Sequence, residues 1–188
     1  MRNISDFDII ESVKRGNSAD FSVLIDRYKN KAFSLLKRML KNELDAEEVL
    51  QDCFLKAYNS LKGFKQESKF STWFYKIVYN TALTRLSSRK RKIENEMSSF
   101  DDHFELEYKS NLNEFDNQEI STLLKKLISQ LPENHAAVMS MFYLDEMSCE
   151  EISEVMNISV SNVKVILYRS RNSLKNIIID NNLIEELL

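Results

Sequence analysis

Glycine and proline are nearly missing from this chain: two and one, respectively, in 188 residues. A β-rich fold needs many tight turns, so such scarcity excludes it in favour of long helices. Cysteine is also rare. Cys53 and Cys149 each sit among helical residues and read as reduced thiols beside a core, not as a disulfide or metal pair. His103 and His135 have no partners at ligand spacing, so no metal is expected. There is no Gly-rich phosphate loop, no His/Cys cluster and no Ser-His-Asp set with a turn to hold it. No catalytic residue and no cofactor are therefore expected, and an enzyme is the least supported class. No apolar run is long enough to cross a bilayer, and the charged N-terminus does not resemble a signal peptide. A cytoplasmic protein without membrane insertion is expected. The net charge of −3 is unlike that of a protein that only coats nucleic acid. The spread of charge is more informative than its sum.

What is present is helical periodicity. A short helix near 5–15 should turn Phe7, Ile10 and Val13 inward and stop at Arg15-Gly16-Asn17. Asp20 opens a longer helix to about Lys41, with Phe21, Leu24, Ile25, Tyr28, Phe33, Leu36 and Leu40 as its apolar positions. Asp45 with Glu48 reads as a capping box for the next helix. There Leu50, Cys53, Phe54, Ala57, Tyr58 and Leu61 form a buried stripe. The opposite face carries Glu48, Gln51, Asp52, Leu55 and Asn59. It is either a docking surface for a basic partner or a solvated face with one stray Leu.

After a loop, Phe70 to about Arg91 is a helix with Ser71 as its expected cap. Trp73, Phe74, Tyr75, Ile77, Val78 and Tyr79 wrap around most of its circumference, more than one surface helix can bury. Some of these rings are candidates to stack on unpaired bases. The basic run Arg89-Lys90-Arg91-Lys92 suits phosphates. The plainer alternative is that the aromatics are core and the run is solvated. From 94 to 118 the character reverses to acidic, with no lasting 3.6-residue stripe, and a flexible linker is expected.

Residues 119–131 are helical again, with Ile120, Leu123, Leu124, Leu127 and Ile128 in register. Leu131-Pro132-Glu133 then starts another helix. In MSCEEISEVMNISVSNVKVILYRSRNSLK, Ser148 and Glu151 form a capping box, Asn157 suits a left-handed helix end, and Ser159 can cap the next helix. That last helix sets Val163, Leu167, Ser170 and Leu174 on one side. The other side has Ser161, Lys164, Val165, Tyr168, Arg169, Asn172 and Lys175, basic and without an acid. This is the pattern of a helix-turn-helix whose second helix enters a major groove. A helical hairpin with a solvated basic face shares it. The tail from Asn176 to Leu188 could extend this helix, and its isoleucines and leucines need cover.

In this order, these stretches resemble the bacterial RNA polymerase sigma factors of the extracytoplasmic-function group, in the sigma-70 family. DAEEVLQDCFLKAYNSLKGF resembles the segment that docks on the clamp helices of the polymerase largest subunit. KFSTWFYKIVYNTALTRLSSRKRK resembles the segment that melts and reads the promoter −10 element, and LISQLPENHAAVMSMFYLDEMSCEEISEVMNISVSNVKVILYRSRNSLK resembles the −35-reading domain. The resemblance implies an all-α fold of two small helical domains. Residues 1–93 would dock on polymerase and melt the −10 element, 94–118 would be the acidic flexible linker, and 119–188 would hold the −35-reading helix-turn-helix. It implies polymerase contacts at Asp45, Glu48, Gln51, Asp52 and Leu55, and −10 contacts at Ser68, Lys69, Phe70, Trp73, Asn80, Arg85 and Arg89. The −35 contacts would be Ser161, Asn162, Lys164, Val165, Tyr168 and Arg169. Implied partners are core RNA polymerase, through its clamp helices and flap, promoter DNA, and an anti-sigma factor. The recognition helix departs from the family's common Gly-Thr-Val-Lys-Ser-Arg-Leu. Val165 and Ile166 stand where Ser and Arg are usual, which favours apolar contact with a thymine methyl.

Two other readings use the same residues. A free-standing helix-turn-helix regulator would footprint duplex DNA without polymerase. A protein-binding scaffold or anti-termination adaptor would tolerate neutralisation of the basic run and of the aromatics near Trp73.

Overall fold

The structure, a computed structural model, describes residues 4–97 and 118–180. Within them there are α-helices and short 3-10 turns and no strand. The helices are α1 (Asp6–Lys14), α2 (Phe21–Leu40), α3 (Glu43–Ser60), α4 (Phe70–Met97), α5 (Gln118–Ser129), α6 (Glu133–Tyr143), α7 (Cys149–Met156) and α8 (Val160–Asp180). The acidic segment expected to be a flexible linker lies, from 98 to 117, outside the described residues, as does the tail from 181. Helix α4 continues to Met97, past the expected domain limit at 93, and α8 continues to Asp180.

The first unit is α1–α4. Helix α1 starts at Ser5, whose hydroxyl accepts from Asp8 N. It buries Ile9, Ile10 and Val13, while Phe7, expected inward, is 59% exposed. Nine residues give a stripe too short to fix its angle, and Ile9 takes the inward position instead. The helix ends at Lys14, and the turn after it uses Gly16, whose φ of 111° is backbone a side chain would strain. Helix α3 begins at Glu43, two residues before the expected cap. Asn42 caps it by accepting from Asp45 N at 2.9 Å. The expected Asp45–Glu48 box is thus replaced, and Asp45 lies inside the first turn with its carboxylate free for other partners. The buried face of α3 is Ala46, Val49, Cys53, Phe54 and Ala57. Leu50 is only half-buried and Tyr58 is 41% exposed. Cys53 is fully enclosed and burial pushes its thiol up to about 11. Both cysteines are free.

Aromatic packing joins the three longer helices. Phe74 stacks on Phe54 at 4.7 Å and on Phe70 at 5.9 Å, and Tyr28 of α2 meets both Phe70 and Phe74 edge-on. Each such pair adds about 0.5–1.5 kcal/mol beyond the area it buries. Because α4 starts at Phe70, Ser71 lies within its first turn and is not its cap.

The second unit is α5–α8. Pro132 sits at the N-cap of α6, one residue before the expected first-turn position. Helix α6 buries six consecutive residues, Ala136 to Met141. One side packs on α8 and the other on α2 of the first unit, while α7 packs on α4. This contact explains why the C-terminal half of α2 is enclosed beyond its predicted stripe, with Leu35 and Met39 at 0% exposure. It also covers the surplus aromatic face of α4: Tyr75 and Tyr79 are 2% and 5% exposed.

Asp145 follows α6 and is half-buried against Tyr75, Arg38 and Lys31 of the first unit. Burial pushes its carboxyl up to about 6 from 3.8, against the opposing pull of the Tyr75 hydroxyl and the two cations. A pKa raised by folding means that ionisation opposes the fold. This group withdraws stability as pH rises through about 6, and the loss is absent below the unfolded pKa. Asp145→Asn should therefore raise the thermal unfolding midpoint near neutral pH, and the gap from wild type should close as pH falls below 6. A gap constant across that window would refute this role for Asp145.

Candidate nucleic-acid interface

The helix-turn-helix forms where the capping residues place it. Ser148 Oγ accepts from Glu151 N at 3.1 Å while Glu151 Oε2 accepts from Ser148 N at 2.8 Å, a complete capping box. Asn157 closes α7 at φ 54°, a left-handed conformation that Asn tolerates. Ser153 Oγ donates across the turn to Ile158 O, and Ser159 Oγ accepts from Asn162 N at 3.2 Å to open α8. Val163, Leu167, Ser170 and Leu174 are buried. Ser161, Asn162, Lys164, Val165, Tyr168 and Arg169 are all exposed, with Val165 at 45% and Tyr168 at 65%. No acid occurs in α8 before Asp180. Arg171 bonds Tyr143 Oη at 2.7 Å with its guanidinium over the ring, bracing α8 on α6.

The first unit presents two surfaces. On α3, Leu44, Glu48, Gln51, Asp52 and Leu55 recur at helical spacing and are exposed, Leu44 at 76% and Leu55 at 62%. Leu44 was not among the expected contacts, although its spacing of 11 from Leu55 places it on the same side. Asp45 is half-buried, because Arg85 Nη2 bonds its Oδ1 at 2.6 Å and Glu48 Oε2 at 2.5 Å, with Arg89 at 3.4 Å from Asp45 Oδ2. Its hydrogen bond to the Asp45 carboxylate holds the Arg85 guanidinium above its ordinary pKa. The structure thus brings Arg85 and Arg89 to Asp45 and Glu48, away from Asn80.

Trp73 and Asn80 instead meet in a groove of about 440 Å³ between α3 and α4, which Lys56, Ser60, Lys76 and Ile77 also line. Lys76 shares the Trp73–Asn80 side of α4 and was legible from spacing. Lys56 comes from another helix, where local periodicity carries no signal. In the loop before α4, Ser68 is half-buried and Lys69 is exposed, its Nζ 2.8 Å from Glu151 Oε1. Phe70 is 4% exposed within the aromatic cluster. Gln66, at φ 60°, anchors this loop by donating to Glu11 Oε1 at 2.8 Å. Chemically, the groove offers two cations, amide and hydroxyl groups and a half-buried indole, a set that suits a single strand.

Among the described residues, no group of His, Cys, Asp and Glu could hold a metal, and no helix is long and apolar enough to cross a membrane. Because the capping box sets where α7 begins, Ser148→Ala should lower stability by about 1 kcal/mol, and Ser148→Asp, which keeps an acceptor, should not. Thermal unfolding of the two variants checks this.

Comparison with known proteins adds the family. The model for Sigma-70 region 2 matches residues 24–92, and that for Sigma-70 region 4 matches 121–174. The chain is 32% identical over 180 residues to the ECF RNA polymerase sigma-E factor of Haemophilus influenzae, covering 92% of this chain and 95% of that one. It is 32% identical over 173 residues to the ECF RNA polymerase sigma factor SigW of Bacillus subtilis, covering 88% and 92%. Among solved structures, the sigma factor RpoE in complex with the anti-sigma factor NepR from Bartonella quintana has a TM-score of 0.66 at 18% identity, covering 84% of this chain and 95% of that one. CnrH in complex with the cytosolic domain of CnrY has 0.64 at 18%, covering 92% and 96%.

Proposed function

Since the chain belongs to the sigma-70 family of RNA polymerase sigma factors, in the extracytoplasmic-function group, we propose the following division of labour among its surfaces. The exposed side of α8 reads the −35 element: Lys164 and Arg169 reach base edges or phosphates, Ser161, Asn162 and Tyr168 supply hydrogen bonds, and Val165 packs on a thymine methyl. The acidic face of α3, with Leu44 and Leu55 at its ends, docks on the clamp helices of core polymerase. The α3–α4 groove and the Ser68–Lys69 loop receive the unwound −10 strand. Trapping an extruded base there converts the energy of single-strand binding into melting. The protein acts in the cytoplasm and catalyses no reaction itself. An anti-sigma factor is a further partner, by analogy with the RpoE complex. The carrying observation is the exposed, acid-free face of α8 on a braced helix-turn-helix.

On a shared support, the second DNA contact is effectively intramolecular, so promoter choice emerges only in the holoenzyme. This separates the reading from a free-standing regulator, which would bind duplex without polymerase.

Two outcomes test the assignment. Lys164→Ala with Arg169→Ala should weaken promoter use by about 1–3 kcal/mol for each side chain that reads a base edge, measured by run-off transcription with core polymerase on a promoter library. Unchanged initiation from the preferred promoter would refute the α8 assignment. Asp52→Arg should weaken core binding about tenfold, ~1.4 kcal/mol, in a fluorescence titration. A superimposable binding curve would show that α3 does not dock.

A further inference from the structure

The loop that leads into α4 has a backbone conformation that it cannot hold by itself. Gln66 sits at φ 60° in the middle of that loop. Lys41 and Asn157 share this left-handed backbone, but each closes a helix, a common use of it. Gln66 closes none. For a residue with a side chain the conformation is disfavoured by roughly five- to thirtyfold. Such an outlier persists only where its surroundings dictate it. The loop's own backbone does not dictate it: among the described residues, no backbone group from Lys65 to Ser68 bonds to another backbone group.

The hold comes from α1, 50 and 55 positions earlier in the chain. Gln66 Nε2 donates to Glu11 Oε1 at 2.8 Å. Lys14 Nζ donates to Phe64 O at 2.9 Å, two residues ahead of Gln66. The two anchors form one network, since Lys14 Nζ lies 3.5 Å from Glu11 Oε1. Both side chains are partly in solvent, 38% for Glu11 and 23% for Lys14, so as an ion pair they contribute little stability. What they do is select one shape for the loop. The Lys14 anchor holds Phe64, whose ring lies 4.7 Å from Trp73, the indole that lines the α3–α4 groove. The Glu11 anchor holds the turn from which Ser68 and Lys69 emerge.

Resting on the reading of the Ser68–Lys69 loop as a receiver of the unwound −10 strand, we propose that Glu11 and Lys14 of α1 are positioning residues for base capture. Neither touches DNA. They hold the loop in its left-handed shape before the strand arrives, so a captured base does not have to order it. Without them Gln66 relaxes to ordinary backbone, and only the fraction of molecules with the loop formed can take the base.

The experiment compares holoenzymes on fork-junction DNA, duplex through −35 and single-stranded across −10, with the sequence selected by run-off transcription. An abasic site is moved through the single strand one position at a time. Wild type should bind the intact fork more tightly than one of the abasic forks, by about fivefold or more where a base is captured on rings. Glu11→Ala and Lys14→Met should each shrink that ratio by about threefold or more, because only the intact fork draws on the ordered loop. Glu11→Gln keeps an acceptor oxygen for Gln66 and should retain the wild-type ratio. Partial unfolding or weaker core binding lowers both affinities together and leaves the ratio unmoved, so a merely structural role does not imitate the result. A wild-type ratio in Glu11→Ala or in Lys14→Met overturns the proposal and leaves the loop's assignment standing, as does a loss in Glu11→Gln equal to that in Glu11→Ala. A wild type that tolerates the abasic site at every position sinks the assignment of the loop, and the positioning role with it.

Discussion

Helix α6 is enclosed on both sides, and most of the architecture follows from that constraint. Its small residues, Ala136 and Ala137, let neighbours approach closely, and Met139 and Met141 fill what remains. One flank supports α8 and the other lies on α2. The same helix therefore backs α8 and meets the first unit.

A second dependence lies between α3 and α4. Arg85 and Arg89 sit on the helix whose other side forms the groove, yet their partners are Asp45 and Glu48 at the start of α3. Surface ion pairs contribute little stability, so their effect is on geometry and charge. They tie α4 to the start of α3, and they neutralise part of its carboxylate cluster. Glu48 retains 61% of its side chain in solvent, against 18% for Asp45, so the outward charge rests on Glu48 and Asp52.

Much of this was legible in the linear chain. The helix-turn-helix, the all-α class and the exposed set on α8 follow from periodicity and capping residues alone. The misplaced start of α3 has a simple origin. Asn42 and Asp45 can both cap, and Glu48 three residues after Asp45 imitates a capping box. Asn42 takes the cap by accepting from Asp45 N, and the Asp45 carboxylate is bonded instead by Arg85, 40 positions away. The aromatic excess on α4 looked like free stacking surface because one surface helix cannot bury every face. Tyr75 and Tyr79 are instead covered by a domain far along the chain, and only Trp73 remains half-open. Lys56 is illegible for a similar reason, since a groove between two helices has no signature in either one.

The recognition helix carries few cations where it would face a duplex. With Ile166 half-buried and Val165 outward, Lys164 and Arg169 are the only positive groups among its expected contacts. Few displaced counterions mean a shallow dependence of −35 affinity on salt. If α8 reads the −35 element as proposed, its preference should outlast that of more cationic competitors as salt rises.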